Sequence, residues 1–183
     1  MNKIILIIIF ITSLWSCNNS NNHNLGNIET LRTNELLGTI LSNFEEDGIR
    51  LDCIYEKANF LEDNPEYDYY SMLIKHLKIK DSLHLNNQIK LYEKFSINEA
   101  LCFNRKIIPD SLRPSNREEL YEFEKYIDKN CPNGSIAFSK PIFSEDFNLA
   151  FLVYSAGIGG SGSIYKYENG IWEFKESIYH WIP

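Results

Sequence analysis

Residues 149–172, LAFLVYSAGIGGSGSIYKYENGIW, are the stretch on which the fold prediction depends. Residues 149–154 are apolar and rich in β-favouring side chains, and residues 164–167 alternate between apolar and polar. Asn169-Gly170 is a strong signal for a two-residue hairpin turn, and residues 171–178 supply the second strand of that hairpin. The stretch therefore predicts antiparallel strands joined by short connections.

One further strand is predicted just before this stretch, over residues 136–143. Pro141 has no backbone N–H to donate to a sheet, so it should lie at a strand end, at a sheet edge or at a bulge. Residues 145–148 have the composition of a turn. The C-terminal third is thus expected to form an antiparallel β-meander of three to four strands.

The glycine-rich run within this stretch is the one segment that invites a ligand-binding interpretation. Its candidate residues are Gly157, Gly159, Gly160, Ser161 and Gly162. A phosphate-binding loop of the Walker type needs a Lys followed by Ser or Thr, and a dinucleotide-binding loop should open a helix, whereas a strand is predicted here. The expected structure is a hairpin loop whose glycines permit positive φ, and a loop that binds a ligand through backbone groups is the alternative.

Apolar residues recur at helical spacing through much of the first two thirds of the chain. This pattern predicts a helix over residues 34–44, two helices within 66–101, and a helix over 115–130 that begins at a capping box of Ser115 and Glu118. Residues 78–85 alternate between apolar and polar, so a strand there is the alternative. Alternation over residues 49–53 predicts one short strand. The chain is therefore expected to be a single α+β domain over residues 28–183, with N-terminal helices packed on the C-terminal antiparallel meander.

Composition supports a packed domain and limits its partners. Hydrophobic residues make up 44% of the 183 residues and aromatic residues 14%, which is ample for a core. The formal net charge is −7, and phosphate backbones bind proteins mainly through Lys and Arg. Nucleic acid is therefore not expected as a partner.

No set of side chains has the spacing of a metal or cofactor site. His76 and His84 have no third ligand at a suitable spacing, and the acidic residues at positions 63, 66 and 68 lack the glycine and terminal glutamate of an EF-hand. We therefore predict no metal, no cofactor and no catalytic residue. Asp146 and His180 serve an alternative hypothesis, in which a hydrolase assembles its acid and base from distant parts of the chain.

The start of the chain has the pattern of a secreted precursor. Residues 1–16 carry one positive charge, Lys3, before a short apolar run, which predicts a signal peptide too short to span a bilayer permanently. Leu14-Trp15-Ser16-Cys17 resembles the lipobox of bacterial lipoproteins, with Trp15 in place of the usual small residue. The resemblance implies cleavage before Cys17 and attachment of lipid to that cysteine, and two or more acyl chains hold a protein stably on a membrane.

Residues 17–27 are interpreted as the lipidated cysteine and a polar, flexible tether. Surface-exposed lipoproteins of the Bacteroidetes, which this composition resembles, often carry acidic residues just after the cysteine. This tether contains none, which favours the outer membrane with the domain facing the periplasm.

Three cysteines remain after Cys17, namely Cys53, Cys102 and Cys131. An envelope location permits disulfides, but an odd number leaves at least one thiol free or paired between chains. Cys102 with Cys131 is the preferred pair, and the other two pairings stay open.

The C-terminal third resembles a recurring pattern in a Bacteroidetes family without an assigned activity. The matching residues are Ser139-Lys140-Pro141-Ile142-Phe143, Asp146, Ala150, the glycine cluster and Gly170-Ile171-Trp172. The resemblance implies a shared sheet architecture and no particular chemistry.

The leading functional hypothesis is a lipid-anchored lipoprotein of the cell envelope whose domain binds a protein or glycan partner without catalysis. Its only predicted membrane contact is the lipid on Cys17. The alternatives are the envelope hydrolase described above and an acidic immunity-type inhibitor that masks a basic protein.

Overall fold

A mixed sheet of seven strands organises the chain, which the computed structural model describes over residues 26–58, 68–92, 94–157 and 159–182. The predicted signal peptide, Cys17 and most of the tether lie outside these residues. Within them are four helices: α1 over residues 26–46, α2 Tyr69–Leu77, α3 Ser82–Tyr92 and α4 Arg117–Asn130. The strands are β1 Cys53–Tyr55, β2 Lys106–Ile108, β3 Ser135–Phe138, β4 Ile142–Phe143, β5 Leu149–Ala156, β6 Gly159–Glu168 and β7 Ile171–Trp181. Residues 26 and 27, assigned to the tether from the sequence, lie in α1.

The strand order is β2-β1-β3-β5-β6-β7, with β4 paired to β5. β1 is parallel to both β2 and β3, whereas the other pairs are antiparallel. The chain therefore mixes α and β structure as expected, but the prediction of an antiparallel meander of three to four strands is wrong for the sheet as a whole. β5, β6 and β7 form a meander, and the three-residue strands β1 and β2 extend the sheet by parallel pairing. Strands this short carry no alternation that a sequence pattern could reveal.

The short strand predicted over residues 49–53 lies instead at Cys53–Tyr55. Ile49 keeps 46% of its surface exposed, whereas Cys53 and Ile54 are fully buried. β1 lies between β2 and β3 and is covered on both faces, so its residues do not alternate between apolar and polar.

The strand predicted over residues 136–143 is broken into β3 and β4, which both pair with β5. At the break, the Ser139 N–H donates to the Val153 carbonyl at 2.8 Å, and the Val153 N–H donates to the Ser139 hydroxyl at 3.0 Å. A side-chain oxygen thus replaces one backbone acceptor of the ladder. Pro141 lies in this interruption, where its missing N–H breaks no ladder hydrogen bond.

Side chains of β5 enter two different cores because successive residues of a strand point to opposite faces of the sheet. Ala150 and Leu152 belong to the first core, which also contains the α1 residues Leu36, Leu37, Ile40 and Leu41. Phe151 and Val153 belong to the second core, which contains Leu73, Leu77 and Leu85 of α2 and α3. Burying one such side chain contributes about 1.5–3 kcal/mol, so covering β5 on both faces is a large stabilising term.

Helix α3 is fastened to the sheet by Gln88, which is 5% exposed. Its side-chain oxygen accepts a hydrogen bond from the Phe143 N–H at 2.8 Å, and its side-chain nitrogen donates to the Phe143 carbonyl at 2.7 Å. The Gln88 side chain therefore satisfies both the N–H and the carbonyl of Phe143 in β4. Buried backbone groups of this kind are costly to leave without a hydrogen-bond partner.

A third cluster lies under α4 and contains a disulfide between Cys53 of β1 and Cys131, the residue after α4. The predicted Cys102–Cys131 pair is therefore wrong. Cys102 packs against the first core as a free thiol, and its Sγ donates to the Glu99 carbonyl at 3.1 Å. Spacing along the chain cannot show which face of a sheet each cysteine occupies, and that position decides the pairing.

Removing the disulfide should destabilise the domain. The Cys53→Ala/Cys131→Ala variant loses a cross-link between residues 78 positions apart, and we expect the free energy of unfolding in urea to fall by about 2–5 kcal/mol. Cys102→Ala is the matched control and should change that free energy by less than about 1 kcal/mol. A control that loses as much as the double variant would contradict the pairing.

Candidate functional site

The glycine run that the sequence marked as a ligand-binding loop is mostly strand. Gly157 lies in the turn after β5 with a φ of +58°. Gly159, Gly160, Ser161 and Gly162 are instead the first four residues of β6, which pairs with β5 on one side and with β7 on the other. Their backbones take part in the sheet, so the prediction of a loop is wrong for these four residues.

Two of these glycines leave room for aromatic rings of β7. A Cβ atom at Gly162 would lie 2.5 Å from Cζ of Tyr179, and a Cβ atom at Gly160 would overlap the indole of Trp181. The two rings stack on each other with centroids 6.0 Å apart, and Tyr179 also packs against Phe151 of the second core. The glycines are thus required by side-chain packing across the sheet.

The two residues of the hydrolase hypothesis are not brought together. His180 pairs with Ser161, and Ser161 pairs with Tyr154 of β5. Asp146 precedes Leu149, at the other end of β5. Five residues of strand correspond to roughly 17 Å, which is too far for an acid and a base that act on one substrate bond.

The Asp146 carboxylate instead holds the turn between β4 and β5. It accepts hydrogen bonds from the Ser144 hydroxyl at 2.6 Å and from the Asn148 N–H at 3.1 Å. These bonds, the Ser144 hydroxyl first, hold the pKa of Asp146 below its usual value. A general acid would need the opposite shift.

His76 and His84, which the sequence did not predict to bind a metal, make contacts with the sheet. His76 Nδ1 lies 3.2 Å from Oε1 of Glu176 on β7, and His84 Nε2 lies 3.0 Å from the Phe143 carbonyl. Asp68 caps α2 by accepting a hydrogen bond from the Ser71 N–H. Within the residues that the structure describes, no three His, Cys, Asp or Glu side chains are grouped to hold a metal ion.

Helix α4 begins at Asn116, whose side-chain oxygen accepts hydrogen bonds from the N–H groups of Glu118 at 3.0 Å and Glu119 at 2.9 Å. The predicted capping box over Ser115 and Glu118 is therefore shifted by one residue. The Glu119 carboxylate accepts hydrogen bonds from the Ser115 N–H and hydroxyl, both at 2.8 Å. These hydrogen bonds hold the pKa of Glu119 below its usual value, so this side chain is ionised at neutral pH.

The apolar side chains of α4 are only partly covered by the rest of the described chain. None of its 14 residues is fully buried there, and Leu120 and Tyr121 keep 43% and 60% of their surface exposed. Phe123 reaches the sheet and packs on Tyr55 of β1, with ring centroids 6.4 Å apart. A surface helix normally turns a whole apolar stripe into the core, and α4 does so only in part because it lies over the two shortest parallel strands.

A groove of about 500 Å³ lies between α4 and the turn Asp110–Leu112, and we call it the outer groove. Its lining residues are Ser111, Leu112, Arg113, Glu118, Glu119, Glu122, Phe123 and Tyr126. Positions 119, 122, 123 and 126 follow helical spacing, so one stripe of α4 supplies both apolar rings and carboxylates. The motif EELYEFEKY carried this signal in the sequence, but a helical pattern alone could not show that the stripe borders a groove.

Two smaller grooves, of about 110 and 300 Å³, adjoin the outer groove and share Arg113 with it. The Arg113 Nε lies 3.4 Å from Asp110 Oδ1, and the Lys57 Nζ lies 3.7 Å from Asp110 Oδ2. Arg113 also donates to the Lys57 carbonyl at 3.0 Å. The outer groove itself is lined by three glutamates and one arginine, so carboxylates dominate its charge.

The steric account of the glycines predicts a specific coupling. Gly162→Ala should lower the free energy of unfolding by about 1–3 kcal/mol, because its methyl group meets the Tyr179 ring. In a Tyr179→Ala background the same substitution should cost at least about 1 kcal/mol less, as measured by a double-mutant cycle in urea. Gly26→Ala is the control, since a Cβ there meets nothing within 4 Å. Equal costs in both backgrounds would refute the account.

The fold and the grooves are the evidence from which we infer a function. No model of a protein family matches the chain, and neither a curated protein nor a solved structure matches it. In the described part of the chain, none of the helices has the length and apolar character needed to cross a membrane.

Proposed function

We propose that the chain is a lipid-anchored lipoprotein of the cell envelope whose domain binds a partner protein and does not catalyse a reaction. The anchor is the lipid that the lipobox places on Cys17, and the polar tether after it lets the domain reach away from the membrane. The likeness to Bacteroidetes proteins and the lack of acidic residues in the tether favour the outer membrane, with the domain facing the periplasm.

The observation that carries the binding function is the incomplete covering of α4. An apolar helix stripe that the described chain leaves half exposed, next to a concave groove, is typical of an interaction site. Leu112, which lines the groove, keeps 39% of its surface exposed, and Leu120 on α4 keeps 43%. A protein partner suits this surface better than a glycan, because the exposed aliphatic side chains of Leu112 and Leu120 offer apolar area to an apolar side chain and no ring on which a sugar could stack.

The Cys53–Cys131 disulfide supports the proposed compartment. Disulfides form and persist in oxidising compartments such as the bacterial periplasm and are rare in the cytosol. The net charge of −7 argues against nucleic acid as the partner, since it repels phosphate.

Lipidation of Cys17 tests the anchor directly. A clickable fatty-acid probe, fed to cells that make the full chain, should label the wild type, and the Cys17→Ala variant should lose the label and leave the membrane fraction. Two buried acyl chains hold a protein on a membrane stably, and the variant has none.

Cys102→Ala is the matched control, because its free thiol is the other cysteine that a nonspecific label could reach. This variant should keep both the label and the membrane association. Undiminished label in the Cys17→Ala variant would overturn the proposed anchor.

A further inference from the structure

The floor of the outer groove is apolar. Phe123 and Tyr126 of α4 lie on one side, and Leu112, 39% exposed, lies on the other. Phe123 and Tyr126 are only partly buried in the described structure, so a partner that covers this surface gains the free energy of burying apolar area. A groove of about 500 Å³ bordered by one face of a helix is the kind of surface that takes up a short segment of a partner protein.

The rim of the outer groove is acidic. Three carboxylates line it, those of Glu118, Glu119 and Glu122, against the single guanidinium of Arg113, so the lining carries a net negative charge. Glu119 is kept ionised by Ser115. Glu122 lies 2.9 Å from Lys125, but its side chain is 71% exposed, and exposed pairs of this kind are weak enough to exchange partners.

The negative charge of the rim favours some ligands of the outer groove over others. A second copy of this acidic chain, an anionic lipid headgroup and a nucleic acid would each bring negative charge to the rim. A basic segment brings complementary charge, and the aliphatic stems of Lys and Arg cover aromatic rings while their charged ends reach carboxylates.

We propose that the outer groove docks a basic, partly apolar segment of a partner protein. This inference rests on the proposed binding function and adds the surface and the partner chemistry to it. Leu112, Phe123 and Tyr126 take up the apolar side chains of the segment, and Glu118 and Glu122 pair with its cations.

Three labelled peptides of one length test the proposal on the full chain, purified in a neutral maltoside detergent. The peptides alternate Leu with Lys, with Gln or with Glu, and fluorescence anisotropy measures their binding, with protein-free micelles as the blank. The Lys peptide should bind most tightly, and its affinity should fall as NaCl is raised, because salt screens exposed charges.

Matched variants show whether the peptide binds in the outer groove. Glu118→Gln/Glu122→Gln should weaken the Lys peptide by about tenfold or more, whereas Glu124→Gln/Asp128→Asn removes the same charge from α4 outside the groove and should weaken it by less than about threefold. Leu112→Ser should weaken both the Lys and the Gln peptides. Unchanged thermal melts show that each variant is folded.

Two results would overturn the inference: equal weakening by both double variants, or equal binding of the three peptides. Absence of binding by the Lys peptide would overturn it as well. None of these results touches the lipid anchor, which the Cys17→Ala experiment tests separately, so the two proposals can fail independently.

Discussion

The two-sided burial of β5 is the constraint on which the rest of the structure depends. Ala150, Phe151, Leu152 and Val153 are all fully buried, and they alternate between the first and second cores. β5 also pairs with three strands, β3, β4 and β6. Because one strand supplies both cores, α1 and the α2–α3 pair must lie on opposite faces of the sheet, and a change in the register of β5 would expose both sets of side chains.

Distance from β5 explains why α4 differs from the other helices. α4 packs near β1 and β2, at the edge of the sheet where the strands are only three residues long. So short a surface cannot cover the apolar stripe of a helix of 14 residues. The disulfide between Cys53 and Cys131 ties the end of this helix to β1. This covalent link adds stability where the packing of α4 on the sheet is incomplete. The β5 cores thus supply most of the packing, and the proposed binding surface lies at the β1–β2 edge of the sheet.

The sequence predicted the features that depend on local pattern. Apolar spacing predicted a helix at each of the four described helices, although α1 begins at residue 26 and not at 34. Asn169-Gly170 indicated the hairpin turn, where both residues have positive φ, and Pro141, expected at a strand end, an edge or a bulge, lies between β3 and β4. Features that depend on contacts between distant residues were missed. β1 and β2 are too short to show an alternating pattern. A loop was predicted at Gly160 and Gly162 because the aromatic rings that pack over these glycines belong to β7, which is distant in sequence. The pairing of Cys53 with Cys131 and the outer groove likewise depend on which segments meet, which no local pattern records.

The central claim is that α4 is packed less completely than the β5 core and keeps an apolar stripe available to a partner. Native-state hydrogen exchange measures this directly, because amides in well-packed elements exchange only through global unfolding. We expect the amides of Leu152 and Val153 to be the slowest, and those of Phe123 and Tyr126 to exchange at least about 100-fold faster through local opening. Equal protection of α4 and β5 would show that α4 is an integral part of the core and would contradict the account.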